Sequence, residues 1–201
     1  MKRKKPEKSE ILYQLLNKEK YDLVLELIPH ISYLDMAIVF YYWTDESRNC
    51  ACMLSNADMQ EWGFTIEELE QAASYNTPRC MPVDFRSMEE VIQELFGDDE
   101  EEEDEDAKVP MHILTNRDKV FGAAAILYPQ VLWSVSQTLQ DDLYILPSSI
   151  HECIVVPASV DCTREDLEAI VKDINQTQVP EEEVLSNHVY IYRKDEDILT
   201  L

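Results

Sequence analysis

The segment Met36–Trp43, MAIVFYYW, constrains this chain more than any other feature. Eight consecutive uncharged residues, rich in β-branched and aromatic side chains, predict a strand. A strand turns successive side chains to opposite faces, so an unbroken apolar run has to be covered on both. The segment is therefore expected as a central strand. The rest of the chain must supply layers on either side of it, and 45% apolar content over 201 residues is enough material for such a core.

Further short strands are predicted at Cys50–Leu54, Met111–Thr115, Leu143–Leu146, Cys153–Pro157 and Val189–Tyr192, while Ile11–Leu16 is ambiguous between strand and helix. Helix starts are written as capping boxes at Thr65–Glu68, Ser87–Glu90 and, with Asp in third place, Thr163–Asp166. Leu69, Ala72, Ala73 and Asn76 follow one helical face behind the first box, with Pro78 expected to end it. Leu167, Ile170, Val171 and Ile174 form a similar stripe behind the third. A longer helix is expected over about 123–139, kinked or restarted at Pro129. Strands and helices mixed without a βαβ rhythm predict an α+β fold with a mixed β-sheet and packed helices, in a single compact domain.

The clearest interruption is Asp98–Asp106, nine consecutive carboxylates after Gly97. Such a block repels itself and buries nothing, so it is expected as an acidic disordered loop. Residues 1–9 are then a basic flexible N-terminus, and 10–194 one α+β domain whose halves, 10–96 and 108–194, are joined by that loop. Residues 195–201 are a C-terminal tail. The formal charge of −24 is uneven: residues 1–20 carry a local +4, and the remainder −28. That balance argues against direct nucleic-acid binding, which needs clustered Lys and Arg. No apolar stretch resembles a secretion signal or a bilayer span, and five cysteines in a chain of this size read as reduced thiols. A cytoplasmic protein without membrane contact is expected.

The chemistry-bearing motifs mostly fail. Three glycines, at 63, 97 and 122, stand too far apart for a phosphate loop, a dinucleotide fingerprint or a nucleophile elbow. His151-Glu152 opens like a metalloprotease helix, but Val155 stands where the second imidazole belongs. Cys50-Ala51-Cys52 lacks a second pair at zinc spacing, so no metal and no cofactor are expected. His30 reads as a turn residue and His112 as half-buried structure. A candidate polar pocket is drawn from three clusters: Asn76 and Arg79 at a helix end, Ser148, Ser149, His151 and Glu152 between two strands, and Asn187 with His188. Each has a plain structural alternative, since arginine suits a helix C-terminus and serines in turns bond their own backbone.

Five strings, taken in order, carry a resemblance: IPHISYLDMAIVFYYW, WGFTIEELEQAASYNTPR, SMEEVIQEL, DLYILPSSIHECIVVPA and INQTQVPEEEVLSNHVYIY. They resemble the bacterial family catalogued as domain of unknown function 5688, over about Leu12 to Arg193. More remotely, the arrangement is similar to domain of unknown function 1444. The resemblance implies a bacterial, cytosolic α+β protein and supplies no activity, ligand or catalytic residue. Members of the first family are usually longer at the N-terminus, so this chain reads as a shortened member or the C-terminal portion of one.

Three functions are weighed. The first is a non-enzymatic module that binds a basic protein partner through its acidic surface. The second is an enzyme of unrecognised type working through Arg79, His151, Glu152 and His188, which requires them to converge on one pocket. The third is an acidic mimic of nucleic acid. Oligomeric state is left open.

Overall fold

A computed structural model describes residues 3–45, 47–48, 50–96 and 109–201. The acidic run 98–106 and Gly97 lie outside the described residues. Contacts divide the chain into two units, Met1–Pro82 and Val83–Leu201.

Unit 1 is built on Met36–Trp43, here β3. It is flanked on one side by β1 (Leu12–Asn17), and on the other by β2 (His30–Tyr33) along its first half and β4 (Ala51–Met53) along its second. Met36, Ala37, Val39, Phe40, Tyr41 and Tyr42 are buried, as a strand covered on both faces requires. The ambiguity at Ile11–Leu16 resolves as strand, because the segment pairs with β3 over six positions. His30 opens β2 rather than a turn. The β2–β3 hairpin escapes a sequence reading because its connection is Leu34-Asp35, with Leu34 in the left-handed region at φ 55, where Gly or Asn would normally announce the bend.

The helices of unit 1 are α1 (Asp22–Leu25), α2 (Asn56–Trp62) and α3 (Ile66–Cys80). The Thr65–Glu68 box forms as expected, with both reciprocal bonds present. A second box, Ser55–Asp58, opens α2, and Gly63 at φ 70 closes it. Pro78 does not end α3, which continues to Cys80. Proline costs a helix only its own N–H bond and space at the preceding turn. Here Thr77 Oγ1 donates to the Ala73 carbonyl, and the Met81 N–H closes on Thr77.

Unit 2 carries a second sheet in the order β10-β9-β7-β8-β6-β5: β5 (Val83–Ser87), β6 (His112–Asn116), β7 (Leu143–Leu146), β8 (Cys153–Pro157), β9 (Tyr190–Arg193) and β10 (Ile198–Thr200). The fold is α+β. Its sheets, however, pair antiparallel throughout the described ladders, so the expected mixed sheet is corrected. Parallel pairing needs long crossovers, whereas β7–β8 and β9–β10 are joined by short connections that return the chain alongside itself. Residues 198–200, within the stretch read as a tail, pair with β9.

Helices α4 (Met88–Phe96), α5 (Val131–Leu139) and α6 (Arg164–Thr177) complete unit 2. The Ser87 and Thr163 boxes are formed. Leu167 and Val171 of α6 pack on Leu146, Val156 and Val189. The alternate residues of β8 face the other way, where Cys153 Sγ meets the Ala123 carbonyl. β7 and β8 are thus covered on both faces. The long helix expected over 123–139 is instead a 3-10 segment, Gly122–Leu127, followed by α5. Pro129 forces Tyr128 into an extended conformation, ψ 135, and α5 restarts after Gln130 at φ 65.

Candidate functional site

His151 sits at a junction in unit 2. Its Nδ1 accepts the Phe121 N–H at 3.2 Å, its Nε2 lies 3.6 Å from Glu183 Oε1, and its ring stacks on Phe121 with centroids 5.9 Å apart. Its own N–H donates to Ser149 Oγ, and its carbonyl accepts from Thr115 Oγ1 at 2.7 Å. Phe121 holds φ 53, a region bulky residues avoid, and His151 secures it from both the backbone and the ring. With Nδ1 accepting an amide proton, Nε2 carries the imidazole proton and faces a carboxylate. A general base needs a free ring lone pair, and this arrangement leaves none. The geometry is that of a structural clamp.

Two of the sequence-derived clusters lie alongside each other in unit 2: Ser149 bridges Val184, the Leu185 N–H donates to the Ser148 carbonyl and the Ser186 N–H to the Pro147 carbonyl, directly before Asn187 and His188. Ser148 is buried, and its backbone bonds Leu146 and Leu185. Glu152 is half-buried beside Cys153, whose thiol burial pushes well above its ordinary range, with Glu152 adding to the effect. Asn187 accepts from the buried Asn175 Nδ2, while exposed His188 is held by its backbone N–H on Ser186 Oγ. So unit 2 brings Ser149 to His151, Asn187 to Asn175, and the Ser148–Ser149 loop to the segment that carries Asn187 and His188. Among the described residues no hydrogen bond joins His188 to His151.

Asn76 and Arg79 belong to unit 1 and have local duties there. Asn76 Nδ2 donates to the Lys8 and Ile11 carbonyls, and Thr77 Oγ1 accepts the Tyr13 N–H at 3.1 Å. β1 is an edge strand, and these two polar residues of α3 satisfy backbone groups that an edge would leave open. Arg79 reaches back to the Tyr75 carbonyl and lies 3.5 Å over the Tyr75 ring. All five cysteines are free thiols, and no group of three or more potential metal ligands occurs among the described residues.

A feature absent from the sequence reading stands out in unit 1. The run DLVLELI yields a helix of only four residues, α1, with too few turns to bury all its apolar side chains. Leu25 and Ile28 turn inward onto Leu16, Ala37 and Val39. Leu23 and Leu27 stay 72% and 67% exposed, with Val24 beside them. On another face of α1 opens a cleft of about 540 Å³, walled by Leu25 and Leu34 and lined by neither Leu23 nor Leu27. Its charged lining is Glu19, Asp22, Glu26 and Asp35 against Lys18, with His30 also present. The signal for it was in the sequence: apolar residues at consecutive positions of a short segment exceed what one buried stripe accepts.

The chain is thus an α+β protein with two antiparallel sheets and an acidic-rimmed apolar cleft in its first unit. It belongs to a family of unknown function, DUF5688, whose model matches residues 2–194. That match supports the first of the two resemblances described above. No curated protein and no solved structure matches the chain significantly. No helix among the described residues is long and apolar enough to cross a membrane.

Proposed function

We propose that the chain is a non-enzymatic binding module that takes up a basic segment of a partner protein, anchored by apolar side chains, at the α1 cleft. The observation that carries this reading is a cleft with apolar walls, Leu25 and Leu34, and a carboxylate-rich rim. The same short helix leaves Leu23 and Leu27 in water on another face, so that a partner seated in the cleft and lapping over α1 covers both. Leaving leucines in water forgoes roughly 1.5–3 kcal/mol each of burial, so a partner that covers both gains several kcal/mol. The rim selects the sign of that partner, since opposite charge speeds encounter and like charge is refused. The described polar residues favour this over catalysis, because His151, Asn76 and Arg79 are already engaged in holding the backbone. Free thiols support a reducing compartment, the cytoplasm.

The test uses three synthetic peptides titrated into the full chain. The first is a short amphipathic helix with Leu on one face and Lys on the other; in the second Glu replaces Lys; in the third Ser replaces Leu. The Leu/Lys peptide should bind, weaken as salt rises, and lose at least about tenfold in affinity against the Leu23→Ser/Leu27→Ser variant. Leu23 and Leu27 are exposed, so that variant keeps its fold. Equal binding by all three peptides, or indifference to the double substitution, refutes the reading.

A further inference from the structure

A second cavity of unit 1 has the opposite electrostatic character. The basic start is tied down at separate points: the Arg3 guanidinium donates to the Met53 carbonyl at 3.1 Å and to Asp58 at 2.8 Å, and Lys5 Nζ donates to the Trp62 carbonyl at 2.6 Å. Lys5 also lies 4.6 Å over the Phe64 ring, and the Tyr42 hydroxyl meets the Lys4 carbonyl. Between this strap and the end of β3 lies a cavity of about 380 Å³, walled by Tyr42 and Trp43. It shares Lys4, Glu10, Trp43 and Thr44 with an adjoining space of about 400 Å³ that reaches Arg48. The two together fall within the size range of small-molecule sites.

Three cations line the first cavity, against the single carboxylate of Glu10, which already accepts the Glu7 N–H. In a chain of net charge −24 this is a concentrated positive site. Consecutive like charges repel; Asp58 pairs with Arg3 and Glu68 attracts Lys5, while no ion pair to Lys4 occurs among the described residues. An incoming anion offsets the rest. Trp43 supplies a flat wall, its ring held edge-on to Tyr41 with centroids 5.5 Å apart. We infer that this cavity binds a small aromatic anion, its planar ring against Trp43 and its carboxylate or phosphate among Arg3, Lys4 and Lys5. Ring and charge act together, because an aromatic face adds area and the cations add orientation.

Calorimetric titration of the full chain with phenyl phosphate, benzoate, phenol and inorganic phosphate tests this. Phenyl phosphate or benzoate should bind saturably, at least about tenfold more tightly than phenol or inorganic phosphate. Lys4→Glu, at an exposed position, should lower that affinity about tenfold or more with an unchanged circular dichroism spectrum, whereas Leu23→Ser/Leu27→Ser should leave it intact. Three results overturn the inference: no saturable binding of either aromatic anion at millimolar concentration, inorganic phosphate binding as well as phenyl phosphate, or a Lys4→Glu variant that binds like the parent.

Discussion

Gly122→Ala probes the clamp at His151 directly. An ideal Cβ on Gly122 would overlap Thr115 Oγ1 and the His151 carbonyl oxygen, and would stand 2.9 Å from the Asn116 nitrogen. Two of those three atoms are backbone, and the third is the hydroxyl bonded to His151 at 2.7 Å. Rotating Thr115 away breaks that bond, worth about 1 kcal/mol. Displacing the His151 carbonyl strains a segment already held by the Phe121 N–H, and overpacking of this kind costs about 1–3 kcal/mol. Alanine returns about 0.4–1 kcal/mol through a less flexible unfolded chain. The net loss is about 1–3.5 kcal/mol. Hydrogen exchange on the most protected amides of β6 and β8 reads it as protection lowered by roughly five to several hundredfold. Protection within a factor of two of the parent refutes the argument that glycine is required here for space.

Two further outcomes follow from single contacts. Thr77→Val removes the acceptor for the Tyr13 N–H at the edge of β1 and should cost about 1–3 kcal/mol in urea unfolding, while Thr77→Ser stays close to the parent; equal stabilities of the Val and Ser variants contradict the edge-capping role. Asp142 is held below the usual carboxylate range by the Lys194 N–H, which outweighs the opposing effect of burial, with help from Arg193. A depressed carboxyl contributes fully above its unfolded value, near 4, and the contribution disappears as pH falls through the lower folded value. The stability gap between the parent and Asp142→Asn should therefore be present at pH 7 and close on acidification below about 4; a gap that persists there removes the charge from the account.

Much of this architecture was legible in the chain. Met36–Trp43 is a central strand because no one-sided arrangement hides eight apolar residues. The three capping boxes mark real helix starts because each satisfies orphan N–H groups locally, and Leu143–Leu146 and Cys153–Pro157 are strands over the residues expected. Ser55–Asp58 followed by Gly63 carried the same kind of signal for α2, and the alternation of VDFRS carried one for β5. Both went unread. The β2–β3 hairpin could not be read, since Leu34 gives no sign of adopting a left-handed turn until the strands pull it there.

Local patterns, then, determined where this chain starts helices, which runs become strands, and that its class is α+β. Those choices depend on hydrogen bonds and burial within a few residues. Tertiary structure alone decided what the polar side chains do. Asn76 and His151 look like candidate chemistry in one dimension, yet each is committed to a backbone group dozens of residues away. The exposure of Leu23 and Leu27 is the same kind of fact: any leucine is suited to a core, and only the finished packing shows which ones the core had no room to take.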